Sequence, residues 1–227
     1  MLTPQQLNEI TKAQIAKQNK FRSVSENGQY IDYLGKKFLV YRDVFWPYDD
    51  SAALVQNFTV EPGELVLDIG TGCGVIAIFA AEKGAKKVVA LDINPAAVKA
   101  AEHNAKAYSY EDIIEVRCSD LFQKIAATEK FDVIIVNLPF RNKEAKDFVE
   151  ASFWDSAFNS NLRFFQEVDK YLKPDGRIYI SQANYGNVEE MKKIAKKAGF
   201  ISKLIGKKTM GANDVREFYA FELRRSK

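Results

Sequence analysis

Histidine and cysteine are nearly missing from this chain of 227 residues: there is one of the first, His103, and two of the second, Cys73 and Cys118. A mechanism built on histidine would have to use His103. The two cysteines lie far apart and match no metal-ligand spacing, so no metal site is expected. Both stand in apolar or glycine-rich segments, which suggests buried, reduced thiols and a cytoplasmic protein. Long hydrophobic runs are missing too. No segment approaches the roughly 20 apolar residues of a membrane span, and the polar, amphipathic residues 1–20 lack the apolar centre of a signal peptide. No membrane is therefore expected among its partners. Strong charge of either sign is also lacking. The net charge is +3, well below the basic bias of a protein that coats DNA or RNA. Nucleic acid stays open as a substrate, but charge does not demand it.

What is present is a core and a rhythm. Hydrophobic residues make up 47% of the chain, enough for one domain of the larger kind. Residues 3–21 read as a helix, with Thr3 as N-cap, Pro4 at its first position, and Leu7, Ile10, Ile15 and Ala16 as apolar positions. Residues 30–41 read as a β-hairpin turning at Gly35. The aromatic loop 44–48 follows. Asp49, Asp50 and Ser51 can then cap a short helix carrying Ala53, Leu54 and Phe58. From Glu61 onward strands and helices alternate, with strands at 65–69, 87–91, 113–118, 131–136 and 177–182. Helices are expected through Ala81, over 95–108, near 162–172 and over 187–198. Residues 200–205 and 216–223 are close enough in sequence to close as an antiparallel pair. This order predicts an α/β Rossmann-like three-layer sandwich. Its mostly parallel sheet ends in an antiparallel hairpin, and a small N-terminal helix plus β-hairpin precedes it. The boundary is expected near residue 60, giving a 1–59 extension and a 60–227 domain.

The first strand of the alternating part runs into Asp68-Ile-Gly-Thr-Gly-Cys-Gly74. Gly70, Gly72 and Gly74, with Thr71 among them, allow a tight turn and close approach of backbone to a ligand. The spacing is Gly-x-Gly-x-Gly and residue 75 is valine, unlike the Gly-x-Gly-x-x-Gly of dinucleotide sites. Asp68 just before the glycines can take the ammonium of a zwitterionic ligand, directly or through water, where a dinucleotide site would need room for pyrophosphate. Asp92 ends the second strand and can hold both hydroxyls of a ribose. Asp120, after the third strand, can accept from an exocyclic adenine amine, with Ile93 and Leu121 flanking the ring. All lie at carboxyl ends of strands, where open α/β sheets bind ligands. At the end of the fourth strand stands Asn137-Leu-Pro-Phe140, by itself an ordinary turn.

Taken together, Asp68-Ile-Gly-Thr-Gly-Cys-Gly74, Asp92, Ser119-Asp120 and Asn137-Leu-Pro-Phe140 resemble the class I S-adenosylmethionine-dependent methyltransferases, over roughly residues 60–223. The last element resembles the Asn-Pro-Pro-Tyr/Phe motif of members that methylate planar nitrogens, release-factor glutamine methyltransferases among them. The resemblance implies S-adenosylmethionine as cofactor. It places Asp68, Gly70, Thr71, Gly72, Gly74, Asp92, Ile93, Asp120, Leu121 and Asn137 around it, and Asn137, Pro139 and Phe140 in catalysis. In that reading the Asn137 carboxamide oxygen and the carbonyl of residue 138 accept both N–H bonds of the acceptor nitrogen, and Phe140 stacks on its planar group. The acceptor is a protein glutamine amide or an exocyclic base amine of RNA or DNA. Leu138 departs from the motif, which usually has proline there, and this puts the acceptor in doubt. The alternatives are a methyltransferase-fold protein acting on a small molecule, or a cofactor-binding member with little activity. A nicotinamide dehydrogenase is disfavoured by the glycine spacing and by Asp68.

Several features carry two readings. The loop 45–48 either covers a sheet edge or closes over the cofactor, as in related enzymes. Phe148, Phe153, Trp154 and Phe158 either shape a substrate pocket or fill core. Cys73 either lines the cofactor site or packs as a small apolar residue. His103 falls off the apolar face of its helix and is expected in solvent. Lys207, Lys208, Arg216, Arg224, Arg225 and Lys227 form a basic C-terminal end, read as a solvated face with RNA or ribosome contact as the sharper alternative.

Overall fold

The computed structural model describes residues 2–211 and 214–226. Helix α1 (Pro4–Arg22) opens the chain, its Thr3 cap and Gln6 bonding each other's backbone as a capping box. Strands β1 (Gln29–Tyr33) and β2 (Lys36–Val40) form the expected hairpin. Leu34 and Gly35 turn it, both at positive φ. After α2 (Asp49–Val55) come β3 (Leu65–Ile69), α3 (Val75–Glu82), β4 (Lys87–Asp92), α4 (Pro95–Ala107), β5 (Ile114–Cys118) and β6 (Phe131–Val136). The chain then runs through α5 (Phe148–Ala151), α6 (Asn159–Glu167), β7 (Leu172–Ala183), α7 (Val188–Lys197), β8 (Phe200–Thr209) and β9 (Glu217–Arg225).

The main sheet has the order β5-β4-β3-β6-β7-β9-β8. The five strands from β5 to β7 are parallel, and β9 pairs antiparallel with both β7 and β8. The α/β three-layer expectation holds. Its cause is visible residue by residue: side chains alternate across a strand. Val66, Val88, Val133 and Ile135 face one layer, with α3, α4 and the N-terminal segment. Leu67, Val89, Ile134 and Val136 face the other, with α6 and α7. The first layer joins Phe21, Phe38, Val40 and Trp46 to Ile76, Ala77 and Val133 in one continuous cluster. Asn104 on α4 ties this seam. It is 1% exposed, and its carboxamide bonds the N–H and C=O of Leu39 and the carbonyl of Cys73.

Four sequence expectations need correction. Strand β7 starts at Leu172, not 177, because Pro174-Asp-Gly176 is absorbed as an irregularity in its pairing with β6; the preceding helix correspondingly stops at Glu167. Strand β8 runs four residues further than expected, to Thr209. Helix α1 buries Ile10, Gln14, Gln18 and Phe21, not Ile15 or Ala16, since the buried stripe recurs every three or four residues and two of its members are glutamines. Asp49 and Asp50 lie inside the first turn of α2; its cap position is Tyr48, with no side-chain cap bond. Among the described residues no helix is long and apolar enough to cross a membrane.

Candidate active site

A cleft of about 690 Å³ opens over the carboxyl ends of β3, β4, β5 and β6, a volume ordinary for small-molecule sites. Of the residues singled out from sequence, Gly70, Thr71, Gly72, Asp92, Ile93, Asp120, Leu121, Asn137, Pro139 and Phe140 line it. Asp68 and Gly74 do not.

Asp68 is fully buried beneath the glycine loop. One carboxylate oxygen accepts from the Thr71 hydroxyl at 2.6 Å and the other has no partner. Burial pushes its pKa up to about 7, against the lowering effect of the Thr71 bond. Its side chain presents no surface to the cleft. Gly74, at φ 85°, serves packing: a Cβ there would stand 3.1 Å from the Ala101 Cα on α4. Gly72, at φ 56°, donates its N–H to Asp92 at 2.9 Å, and Asn94 N–H donates to the other Asp92 oxygen at 2.9 Å. Two backbone donors thus aim this carboxylate into the cleft, with lone pairs left over for a diol. Burial raises its pKa.

Ile93, 49% exposed, and Leu121, buried at positive φ, offer apolar walls to a ring. Asp120 is already paired: both its oxygens accept from the guanidinium of Arg163 on α6, at 3.1 and 2.9 Å. That partner lies 43 residues away and left no signal in the sequence. The Asp92 carboxylate, the Ile93–Leu121 apolar pair and the glycine loop fit S-adenosylmethionine.

The other half of the cleft is assembled from distant elements. Asn137 Nδ2 donates to Asp50 Oδ2 at 2.9 Å and to Ser51 Oγ at 3.2 Å, both on α2. Its Oδ1 accepts from Ser181 of β7. The carboxamide is therefore fixed by three side chains on two elements, α2 and β7. Leu138 is 7% exposed and joins the hydrophobic cluster with Leu121 and Phe164, so its side chain fills core where the motif has a proline ring. The Pro139 carbonyl accepts from Asn161 at 2.9 Å. Phe140 meets Tyr185 edge to face, centroids 5.5 Å apart.

The N-terminal segment supplies the remaining wall. Ile10, Ala13, Gln14 and Lys17 of α1 line the cleft. Gln14 accepts from Arg141 at 2.8 Å and from the Trp154 indole at 3.1 Å. The Lys17 ammonium lies 3.4 Å from the Tyr48 ring centroid, and burial lowers its pKa. The aromatic loop packs against α1 and borders the cleft. Phe21 stacks on Trp46, Tyr48 and Phe153, while Phe45, Pro47 and Tyr48 also line the cleft. Phe148 lines it while 46% exposed, and Trp154 is core.

The rest of the sequence's candidates lie elsewhere or differ. His103 is exposed, as expected. Cys73 is buried and lines the cleft, but Cys118 is exposed, contrary to expectation, because it is the last residue of an outer strand. Lys207, Lys208, Arg216, Arg224 and Arg225 each pair with an acid, leaving no unpaired basic face among them; Lys227 lies outside the described residues.

The family model "Methyltransferase small domain" matches residues 48–207. This chain belongs to that family. It is an S-adenosylmethionine-dependent methyltransferase. Over 177 residues it is 36% identical to a provisionally named protein N5-glutamine methyltransferase of Methanocaldococcus jannaschii, covering 75% of this chain and 87% of the relative. A release factor glutamine methyltransferase of Cereibacter sphaeroides is 31% identical over 65% of this chain, which spans 57% of that longer protein. The fold matches that of the T. thermophilus 16S rRNA N2 G1207 methyltransferase in complex with AdoMet and guanosine, with a TM-score of 0.62 at 17% identity, covering 88% of this chain and 50% of the other.

Proposed function

We propose that this enzyme methylates a planar nitrogen, with a protein glutamine amide first and an exocyclic base amine of RNA or DNA second. The observation that supports this most is the fixed carboxamide of Asn137, gripped from α2 and β7 at the mouth of the cleft. An amide or aryl amine nitrogen is a poor nucleophile because its lone pair is delocalised. Two acceptors, the Asn137 Oδ1 and the Leu138 carbonyl, would hold both its N–H bonds and turn the lone pair toward the donor. Phe140, Tyr185 and Tyr48 supply flat apolar surface beside it; stacking of this kind contributes about 1–3 kcal/mol for a base. Bound S-adenosylmethionine supplies the activated methyl group. Around it, Asp92 would hold the ribose, and Ile93 and Leu121 the adenine. The glutamine amide comes first because the relative that aligns over most of its own length carries that name.

We further read residues 1–59 as the part that selects the acceptor, since α1 walls that half of the cleft, and place the protein in the cytoplasm, in keeping with its two free thiols. The test is a transfer assay with tritiated S-adenosylmethionine against protein extract, ribosomes, total RNA and DNA in parallel. N5-methylglutamine in a labelled protein is the expected product. A labelled base amine would move the acceptor to nucleic acid, and label on oxygen or carbon would overturn the planar-nitrogen reading.

A further inference from the structure

Two of the three side chains that grip the Asn137 carboxamide are indifferent to which way round it lies. Its Nδ2 donates to Asp50 Oδ2 at 2.9 Å and to Ser51 Oγ at 3.2 Å, and its Oδ1 accepts from the Ser181 hydroxyl. A serine hydroxyl can donate or accept, so Ser51 and Ser181 would fit the amide equally well if it were turned over. An ionised carboxylate can only accept. Asp50 is the one partner that takes the NH2 group and refuses the carbonyl oxygen. It is 6% exposed, in the first turn of α2. Burial raises its pKa, while the Asn137 bond, the Ser51 N–H, the Lys17 ammonium and its own N–H favour the ionised form. Its Oδ1 is shut away from solvent, beside those backbone N–H groups at the start of α2. Tyr33 of β1, Tyr48, and Tyr185 beyond β7 are the other ionisable groups in its field. Burial and the Asp50 charge raise the pKa of each, so all three stay neutral phenols.

We propose that Asp50 is a positioning residue that sets the polarity of the Asn137 carboxamide: it holds Nδ2 to α2 and leaves the second lone pair of Oδ1 for the acceptor nitrogen. This rests on the reading of Asn137 given above. Turned over, the carboxamide would present its own N–H groups to the N–H bonds of the acceptor, which would lose one of its two anchors. The consequence is an inverted ranking of substitutions. In Asp50→Asn the backbone N–H groups of residues 50 and 51 call for an oxygen in the place of Oδ1. The new NH2 group then takes the place of Oδ2 and faces Asn137. Two NH2 groups have no acceptor between them, so Asn137 turns over, and both serines let it. Asp50→Ala only removes the bias and leaves both orientations open. The substitution closest in shape is thus the more damaging one.

Nuclear magnetic resonance of the asparagine side-chain amides reads the orientation directly, with Asn137 assigned by the loss of its signal in Asn137→Ala. In wild type the Asn137 NH2 protons should exchange at least a hundredfold more slowly than those of an exposed asparagine. Ready exchange there would overturn the proposal without recourse to any variant. In Asp50→Asn the same protons should exchange at least tenfold faster than in wild type. Transfer in the assay above should fall at least a hundredfold in Asp50→Asn, and less than that in Asp50→Ala. A side chain that only fills space gives the opposite order, with Asp50→Asn the milder change, and that order would overturn the proposal. Calorimetry with S-adenosylhomocysteine should stay within about threefold of wild type in both variants. A larger loss in a folded variant would assign Asp50 to the donor and overturn the proposal. If Asp50→Asn does not fold, the wild-type exchange rate decides. Label found on oxygen or carbon would strike the planar-nitrogen reading instead, while the exchange rates speak to Asp50 alone.

Discussion

The two halves of the cleft are built on opposite plans. The glycine-loop side of the donor half is local: Gly72, Asp92 and Asn94 complete one another within 23 residues, through backbone bonds at the ends of neighbouring parallel strands, and only Asp120 takes a distant partner, Arg163. The acceptor half draws Lys17, Asp50, Asn137, Ser181 and Tyr185 from five separate places, and the contacts that fix Asn137 run between side chains 44 to 87 residues apart. Backbone-defined geometry survives substitution of neighbouring side chains. Geometry made by side chains from many elements can be altered one residue at a time. A fold that keeps its donor while changing its acceptor is served by this division.

The contrast can be broken most forcefully at Phe21, which is fully buried and joins α1 to the aromatic loop. Phe21→Ala should cost about 3–5 kcal/mol of stability, measured by denaturant unfolding. If the halves are as separate as their construction, the folded fraction should still bind S-adenosylmethionine. Asn137→Ala comes next. It should lower transfer by at least a hundredfold, about 2.7 kcal/mol, while calorimetry shows donor affinity within about threefold of wild type. Asp92→Ala should do the reverse in kind. Removing a carboxylate from hydroxyl partners costs about 1.5–3 kcal/mol, so donor affinity should fall at least tenfold in a protein that still melts cooperatively.

Asp68 tests the donor side through the pH dependence of stability. Burial places its pKa at about 7 in the folded chain, against about 3.9 when unfolded. Between those values the native state keeps a proton that the unfolded chain has released, so this group makes stability fall as pH rises from about 4 to about 7. Asp68→Asn should flatten that slope in urea melts run across the range. An unchanged slope would mean that the acid beneath the loop is ionised at neutral pH.

The sheet and the donor half were legible because their signals are local. An apolar run followed by glycines and an acid specifies a strand end, a turn and a carboxylate with no need to know what packs behind it. The failures fall where a position's meaning depends on a distant partner. The burial of Gln14 and Gln18 has no local signal in the sequence, and the Arg141 and Trp154 that bond to Gln14 lie far along the chain. Asp120 reads as free until Arg163 reaches it. Asp50 reads as a helix cap, and only its position beneath Asn137 reveals an acid with one idle oxygen.

By itself, then, the order of residues determined the alternation of strand and helix, the two-faced sheet and the line of groups at its carboxyl edge, because side-chain period and backbone turns are properties of short segments. Only the tertiary structure decided that α1 walls the cleft, that Asp68 lies beneath the loop instead of in it, and that the carboxamide of Asn137 is held between Asp50, Ser51 and Ser181. Those outcomes depend on which side chains exclude water together and which buried polar atoms find partners. Such choices are made across the whole chain at once.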